Sequence, residues 1–379
     1  MNAPSDSTAE PLRTGLPADE ELTEEYRQAV LAEEERVRRT VLRPRDLDER
    51  RVLLVGGAGY IGCEVTAQLL DAGYRVRTAD LLIYENGVAV TGFLRNPRYE
   101  FRRLDLVDAE SLGSMLEDVT DVILLAGLVG DPITKAYPEA SDAINRNGIR
   151  RLLNGLDGHG LNKVIFISTC SNYGLIPDGA LADEAFELKP LSLYSEAKVA
   201  IEEHLLEVRD KVDYHATVLR FATAFGLSPR MRFDLTVSEF TREMFLGREL
   251  LVFDAETWRP YCHVRDFGRL MRRVLEAPLE LVGGEVFNAG GDVNNYTKQM
   301  IVDELRLRLP DAPVRFQEHG SDPRNYRVSF AKLRERLLFE PAITVPEGID
   351  ELLGALRAGL FRDVDARHSF YGNYEIAYP

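Results

Sequence analysis

Residues 52–62 read VLLVGGAGYIG, an apolar run followed by a turn with glycines at positions 56, 59 and 62. The run is typical of a buried strand in a parallel sheet, and Val65, Leu69 and Leu70 beyond the turn recur at helical spacing. A glycine-rich turn between a strand and a helix lets the backbone approach a pyrophosphate and directs amide N–H groups at it. The segment therefore predicts a dinucleotide site that includes Gly56, Gly59, Tyr60, Ile61 and Gly62.

The second informative segment is YSEAK at residues 194–198. It places the phenol of Tyr194 and the ammonium of Lys198 one helical turn apart on the same face of a helix. This pair is typical of a tyrosine that acts as a general acid or base beside a lysine that favours its phenolate. Either segment alone is a weak signal, whereas the two in this order predict an enzyme that uses a dinucleotide.

Strands and helices alternate along the chain after residue 50. Strands are predicted at residues 52–55, 75–80, 99–105, 122–126 and 163–168, and helices at 62–72, at 140–156 and from 194 onward. This alternation, with nearly continuous apolar strands, predicts an α/β fold, a Rossmann-type doubly wound parallel sheet with helices on both faces. Beyond about residue 226 the pattern loosens, and short strands are predicted at 250–253 and 286–289 within a smaller lobe.

Three regions follow from this pattern. Residues 1–49 are predicted to be an N-terminal extension, partly disordered, with one helix over 19–41 that packs on the body or contacts a second subunit. Residues 50–226 are predicted to form the dinucleotide-binding domain that carries the tyrosine and the lysine. Residues 227–379 are predicted to form mainly a smaller C-terminal α/β substrate lobe and a tail, with some interleaving between the lobes.

Residues at the ends of the later strands refine the prediction for the dinucleotide. Asp80 ends the second strand, where a carboxylate accepts hydrogen bonds from the adenosine ribose and repels a 2′-phosphate. This favours NAD over NADP, although Arg77 in the same strand leaves the second cofactor open. The remaining candidate contacts are Asp105 and Leu106 near the adenine, Ala126 and Gly127 near a ribose, and Asn145, whose alternative role is to cap or pack.

The 379 residues carry a formal net charge of −16, and no apolar stretch approaches the roughly 20 residues of a membrane helix. This balance argues against nucleic acid or an anionic membrane as a partner, since both need a positive protein surface. The first residues lack the features of a secretory signal. The three cysteines, an odd and sparse set, are expected to be reduced thiols of a cytoplasmic protein. No histidine or cysteine spacing indicates a metal site.

Together these motifs resemble those of the extended short-chain dehydrogenase/reductases, specifically the nucleotide-sugar epimerase/dehydratase family. The resemblance covers about residues 50 to 340 and includes STCSNYG at 168–174 and RPYCHVRD at 259–266. It implies NAD in the first lobe, a nucleoside-diphosphate sugar between the lobes, and Thr169 as a catalytic residue with Tyr194 and Lys198. It also implies a homodimer formed through the helices at 140–156 and 194–208.

The implied chemistry removes a hydride from a sugar carbon while the sugar hydroxyl loses a proton. An unperturbed tyrosine has a pKa near 10, so lowering it by about 3 units requires roughly 4 kcal/mol. We expect Lys198 and the positive nicotinamide ring to supply this shift in Tyr194. Thr169 is expected to hydrogen-bond the same sugar oxygen and hold it in place.

The diphosphate of such a substrate requires cations in an otherwise acidic protein. Arg259 lies in the segment where the family places its diphosphate arginine, and Arg324 is a second candidate. Arg232, with Arg230, is expected to close over the nucleotide from a loop after the sheet. The alternative for each arginine is a solvated charge or a partner for a helix end. The remaining predicted substrate contacts are Ser171, Asn172 and Thr223.

The residues after Thr169 help to choose among the activities of the family. Members that eliminate water typically carry Asp-Glu there, whereas this chain has Cys170-Ser171, which disfavours dehydration. Cys170 is either a buried packing thiol or an acid/base group. The leading interpretation is an NAD-dependent nucleoside-diphosphate-sugar 4-epimerase that acts through a transient 4-keto sugar. The alternatives are an NAD(P)H-dependent 4-ketoreductase, another oxidation-initiated enzyme and, in a different class, an inactive dinucleotide sensor.

Overall fold

The computed structural model of the protein describes residues 49–108, 112–177, 179–318, 320, 324–376 and 378. The N-terminal extension predicted for residues 1–49, with its helix over 19–41, lies outside these residues apart from its last position. Within the described ranges, no helix is both long and apolar enough to cross a membrane.

The strands alternate with helices as the sequence predicts. In chain order they are β1 (Arg51–Val55), β2 (Arg75–Asp80), β3 (Tyr99–Arg103), β4 (Asp121–Leu124), β5 (Lys163–Thr169), β6 (Ala216–Phe221), β7 (Thr223–Phe225), β8 (Leu250–Phe253), β9 (Trp258–His263), β10 (Val286–Ala289), β11 (Asn295–Thr297) and β12 (Val314–Gln317).

A sheet of seven parallel strands forms the centre of the fold, in the order β10-β6-β5-β4-β1-β2-β3. The chain runs outward from β1 to β3 and then returns to β4 on the other side of β1. Doubly wound sheets bind their ligands at this reversal, beyond the carboxyl ends of the strands. The predicted Rossmann-type fold is thus confirmed, and the predicted dinucleotide turn lies at the reversal.

The sequence of β1 shows why these strands are apolar throughout. Val52 and Leu54 belong to one buried core, whereas Leu53 and Val55 belong to a second core on the opposite face of the sheet. All four side chains are at most 1% exposed. Because helices cover both faces, both alternating sets of side chains are buried and need to be apolar.

The helices flank this sheet and the second lobe. They are α1 (Tyr60–Asp71), α2 (Leu112–Met115), α3 (Asp131–Ala136), α4 (Pro138–Ser141), α5 (Ile149–Asn154), α6 (Leu193–Val208), α7 (Thr236–Phe245), α8 (Val264–Glu276), α9 (Leu279–Val282), α10 (Lys298–Arg306), α11 (Ala331–Leu337) and α12 (Val345–Arg357). A π-helical segment, Asp142–Gly148, joins α4 to α5, so the helix predicted over 140–156 consists of these three pieces in succession.

Two small sheets, β11-β9-β7 and β12-β8, belong to the part of the chain that follows β6. The strands predicted at 250–253 and 286–289 are both present. The second of them, β10, pairs with β6 in the central sheet and is not part of the smaller lobe, contrary to the expectation. A third buried core, which includes Phe225, Tyr261 and Ile301, lies among the elements of the second lobe.

Candidate active site

The carboxyl ends of β1, β2, β4 and β5 open into a cavity of about 850 Å³. This volume is within the range of small-molecule and cofactor sites. Most of the predicted site residues line this cavity. They are Gly56, Gly59, Tyr60, Ile61, Gly62, Asp80, Asp105, Leu106, Ala126, Gly127, Thr169, Ser171, Tyr194, Lys198, Thr223, Arg232, Arg259 and Arg324.

The glycine turn is packed closely against the end of β4. Gly56 has a φ of +87°, and a Cβ there would lie 2.6 Å from the backbone nitrogen of Ala126. A Cβ on Gly62 would lie 2.5 Å from the carbonyl oxygen of Gly56. The N-cap residue of α1 is Gly59, which has no side chain to cap the N–H groups at the start of the helix. These donors and the positive end of the helix dipole fit the pyrophosphate of a dinucleotide.

Asp80 is fixed beside this turn by backbone donors. Its Oδ2 accepts from the N–H of Ala58 at 3.0 Å, and its Oδ1 accepts from the N–H of Leu82 at 2.8 Å. Burial raises the pKa of Asp80. Each carboxylate oxygen has a further lone pair, which suits the hydroxyls of a ribose.

Arg77 lies three positions earlier in β2 and therefore on the other face of the sheet. Its guanidinium is buried, donates to Glu100 at 2.7 Å and bonds the carbonyl of Met115 at 2.8 Å. The guanidinium of Arg77 thus forms its hydrogen bonds away from the cavity. The alternative in which it accommodates the 2′-phosphate of NADP has no support in this geometry.

Thr169 ends β5, and Tyr194 and Lys198 lie on α6, so the predicted trio meets at one end of the cavity. Ser192 and Ser195 form a capping box that fixes the start of α6 immediately before Tyr194. The hydroxyl of Thr169 accepts from the N–H of Ser171 at 3.1 Å and lies 2.7 Å from its hydroxyl.

Burial is the main influence on the pKa values of both Lys198 and Tyr194. The ammonium of Lys198 donates to the carbonyl of Ile167 at 2.7 Å and lies 5.9 Å from the centre of the Tyr194 ring. Burial lowers the pKa of Lys198 to about 7, with Glu202 acting in the opposite direction. Burial also raises the pKa of Tyr194, against the opposing charge of Arg232. In the protein alone, burial outweighs the neighbouring charges, and the lowering expected from Lys198 together with the nicotinamide ring stays a prediction.

The predicted loop arginines are fixed parts of the cavity wall. Arg232 donates from Nε to Asp234 at 2.9 Å and from its second nitrogen to the other carboxylate oxygen, and it is only 7% exposed. Arg230 is also buried, donates to the carbonyl of Gly372 at 3.1 Å and lies over the ring of Tyr84. Neither arginine has the exposure expected of a cation that closes over a nucleotide from a loop.

The other two predicted arginines approach the cavity from the second lobe. Arg324 forms an ion pair with Asp131 at 2.8 Å. The guanidinium of Arg259, on β9, lies 4.7 Å from the centre of the Tyr326 ring. Thr223, at the start of β7, completes this side of the cavity.

The sequence profile of the NAD dependent epimerase/dehydratase family matches residues 52–290, which contain both the glycine turn and the predicted catalytic trio. The chain belongs to this family. The resemblance that the motifs suggest is thereby confirmed, as is the prediction of NAD as the cofactor.

Known members of the family align over most of the chain. The UDP-glucose 4-epimerase of Bacillus subtilis (strain 168) is 25% identical over 289 residues, which are 70% of this chain and 85% of that protein. The dTDP-glucose 4,6-dehydratase of Streptomyces niveus is 27% identical over 322 residues, 79% of this chain and 91% of that protein. The crystal structure of the Thermotoga maritima UDP-glucose 4-epimerase with UDP-glucose superposes with a TM-score of 0.72 and 27% identity. It covers 82% of this chain and 99% of the other.

In this member of the family, two predicted contacts lie away from the cavity. Asn145 uses its amide to hold the backbone of Leu128, with bonds of 2.8 and 2.9 Å, so its packing alternative describes it better. Asn172 is fully buried and donates to Ser168 and Glu202. Both amides support segments that carry site residues, and neither lines the cavity.

Cys170 is likewise absent from the cavity lining. Its thiol is buried and donates to the carbonyl of Arg220 at 3.1 Å. Burial raises its pKa well above the ordinary value, so the group stays a neutral thiol. The packing interpretation therefore accounts for Cys170.

Sequence reasoning missed several polar residues of the cavity, among them Asp131, Asp234, Asn373 and Tyr374. Asp131 carries a usable signal, because it follows Gly130 shortly after the end of β4, at the ligand-binding edge of the sheet. Asn373 carries no local signal. It reaches the cavity only because the end of the chain folds back on the body.

Proposed function

We propose that this protein is an NAD-dependent nucleoside-diphosphate-sugar 4-epimerase that acts through a transient 4-keto sugar. The observation that carries the proposal is the convergence of Thr169, Tyr194 and Lys198 with the glycine turn around one cavity. The relatives that are UDP-glucose 4-epimerases support a 4-epimerase, and they make UDP-glucose the first substrate to test.

The glycine turn would hold the pyrophosphate of NAD, and Asp80 its adenosine ribose. When bound, NAD supplies the acceptor and donor of the hydride at the sugar carbon. Lys198, anchored between α6 and the end of β5, would donate to the hydroxyls of the second ribose.

Thr169 and Tyr194 would hold one sugar hydroxyl between them. Tyr194 takes the proton of that hydroxyl as the carbonyl forms and returns it as the hydroxyl is restored. Its raised pKa suits the second half of this cycle, in which a neutral phenol donates. In the first half, the positive charge of Arg232 opposes the burial and favours the phenolate, and a bound nicotinamide with a positive charge would act in the same direction.

The choice of epimerase over dehydratase rests on the residues beside the trio. A dehydratase needs an acid for the leaving hydroxyl, and the two positions after Thr169 provide a buried thiol and a hydroxyl. Two of the carboxylates that line the cavity are paired with arginines, Asp131 with Arg324 and Asp234 with Arg232. Against the effect of burial, the charge of Arg232 lowers the pKa of Asp234, which disfavours this group as a proton donor.

The experiment that tests the proposal is product analysis without added coenzyme. Purified protein is incubated with UDP-glucose and a panel of other nucleoside-diphosphate hexoses, and the sugars are separated after hydrolysis. We expect the 4-epimer to accumulate to an equilibrium ratio with no net NADH. A requirement for stoichiometric NADH or NADPH with a keto sugar would instead favour the 4-ketoreductase, and loss of water from the sugar would favour a dehydratase.

We also propose that two chains associate through α6 and the helical segments at residues 138–154, the helices that the resemblance implies. These elements lie side by side within one chain. Light scattering at several concentrations tests this, and a monomer with full activity at every concentration would contradict it.

A further inference from the structure

The end of the chain runs along the cavity and joins its two sides. The carbonyl of Tyr371 accepts from the N–H of Phe233 at 2.7 Å. The hydroxyl of Tyr378 lies 3.4 Å from the carboxylate of Asp105, beyond β3. Between these points Asn373 and Tyr374 line the cavity. This C-terminal segment, residues 371–376, lies outside the residues 52–290 that the family profile matches.

Asn373 has an acceptor that no described residue satisfies. The residue is 7% exposed, and its Nδ2 donates to the carbonyl of Val129 at 2.9 Å. Its backbone N–H bonds the carboxylate of Asp234. Its Oδ1 is buried and accepts no hydrogen bond from the described part of the chain. Buried polar atoms of this kind are rare in native proteins, and one in a residue that lines a cavity is a candidate acceptor for a ligand donor.

Asp131 presents a second acceptor of the same kind close by. One of its oxygens is paired with Arg324, whereas Oδ1 is buried without a partner among the described residues. Asp131 lies two positions after Val129, the residue that holds the Asn373 amide. It also lies near enough to Tyr194 to affect the pKa of that residue. Asp131 therefore lies near Tyr194, and Asn373 is bonded to the loop that carries Asp131.

We infer that Asn373 and Asp131 form a subsite for the C6 group of the sugar, whose unsatisfied oxygens favour a neutral hexose over a sugar with a carboxylate at C6. This inference rests on the proposed function. UDP-glucose and UDP-glucuronic acid share their ring hydroxyls and differ at C6, where the first has a hydroxyl that can donate to such an oxygen and the second has a carboxylate with acceptors only. Two cations of the cavity, Arg232 and Arg324, are already paired with Asp234 and Asp131.

The test compares UDP-glucose with UDP-glucuronic acid in steady-state kinetics and uses UDP alone as a binding probe. The wild type is expected to prefer UDP-glucose. Asn373→Leu removes the acceptor at nearly constant volume, so KM for UDP-glucose should rise about tenfold, the scale of one lost hydrogen bond. Affinity for UDP should not change, because UDP lacks the sugar. Glu375→Gln, an exposed position of the same segment, is the matched control and should behave as the wild type.

A second variant, Asp131→Asn, replaces an acceptor by a side chain that can also donate. This substitution should lower the ratio of kcat/KM for UDP-glucose to kcat/KM for UDP-glucuronic acid. If Asn373→Leu does not fold, this ratio tests the subsite by itself. A wild type that prefers UDP-glucuronic acid, or variants with unchanged KM and unchanged preference, would overturn the subsite. Failure of the wild type to convert any nucleotide sugar would instead contradict the proposed function.

Discussion

The two ends of the cavity are encoded in the chain in different ways. The dinucleotide end is built mainly from one continuous stretch, residues 51–62, and from Asp80 at the end of the neighbouring strand. The sugar end brings together Asp131, Arg232, Arg324 and Asn373, which are far apart in the sequence. The first end depends on local backbone geometry, whereas the second depends on how the second lobe and the C-terminal segment fold onto the sheet.

This difference predicts how the two ends respond to substitution. At the dinucleotide end, backbone N–H groups and glycines are proposed to form the contacts, so added atoms should be harmful and most side chains should matter little. At the proposed sugar end, side chains would form the contacts, so single substitutions should change sugar binding while NAD binding remains. Tyr194 lies where the two ends meet and should affect turnover most.

Tyr194→Phe should show the largest effect. The substitution removes only the hydroxyl, so fold and NAD binding should survive while turnover falls by about 10² or more, the scale of lost general acid–base help. Turnover of a nucleotide hexose is measured with bound NAD confirmed. Tyr214→Phe is the control, since Tyr214 does not line the cavity and its buried hydroxyl donates to the carbonyl of Leu153.

Gly62→Ala breaks the dinucleotide end with one methyl group. Its Cβ would lie 2.5 Å from the carbonyl oxygen of Gly56, so the turn has to shift, at a cost of about 1 to 3 kcal/mol in unfolding free energy and with weaker NAD binding. Gly354→Ala is the control, because this helical glycine of α12 has open space around it. There the free energy of unfolding should rise by up to about 1 kcal/mol. Equal effects of the two substitutions would contradict the steric account.

Asp80→Ser sharpens the account of cofactor choice. The wild type should bind NAD much more tightly than NADP. The substitution should reduce the ratio of the two affinities about tenfold or more, because the Asp80 carboxylate both accepts from the ribose of NAD and repels the 2′-phosphate of NADP. Dissociation constants for both cofactors are measured by calorimetry. Asp105→Ser should leave the ratio unchanged, since Asp105 is expected near the adenine. Equal affinities of the wild type for NAD and NADP would show that Asp80 does not select the cofactor.

Lys198 provides a pH-dependent prediction of smaller size. Its pKa is lowered to about 7 by burial in the folded protein, whereas in the unfolded chain it is about 10.4. Between these values the unfolded chain binds more protons, so this group makes the free energy of unfolding rise with pH. Lys198→Met lacks this contribution. Its stability relative to the wild type should therefore be highest below about pH 7 and decline toward about pH 10, as measured by denaturant unfolding. A pH-independent difference would contradict the burial effect.

The same contrast explains what the sequence predicts well. β1, the glycine turn, Asp80 and the Tyr194/Lys198 pair follow from local patterns, since strand, turn and helix each have a short-range signature. The pairing of β10 with β6 has no such signature, because strand partners are chosen by long-range packing. From the sequence, Asn145 is predicted to contact the cofactor and Asn172 the substrate. In the structure, their side chains bond to Leu128 and Glu202 and support neighbouring segments instead. The sequence also does not predict that Asn373 lines the cavity, because this depends on where the C-terminal segment packs.

In the proposed reaction, hydride leaves the sugar carbon at position 4 and returns to the same carbon on its opposite face. The most direct measurement uses UDP-glucose carrying deuterium at that carbon, incubated with the purified protein without added coenzyme, and NMR of the product. The account predicts a 4-epimer that retains the deuterium at the same carbon. Replacement of the deuterium by solvent hydrogen, or no epimer from any nucleoside-diphosphate hexose, would contradict it.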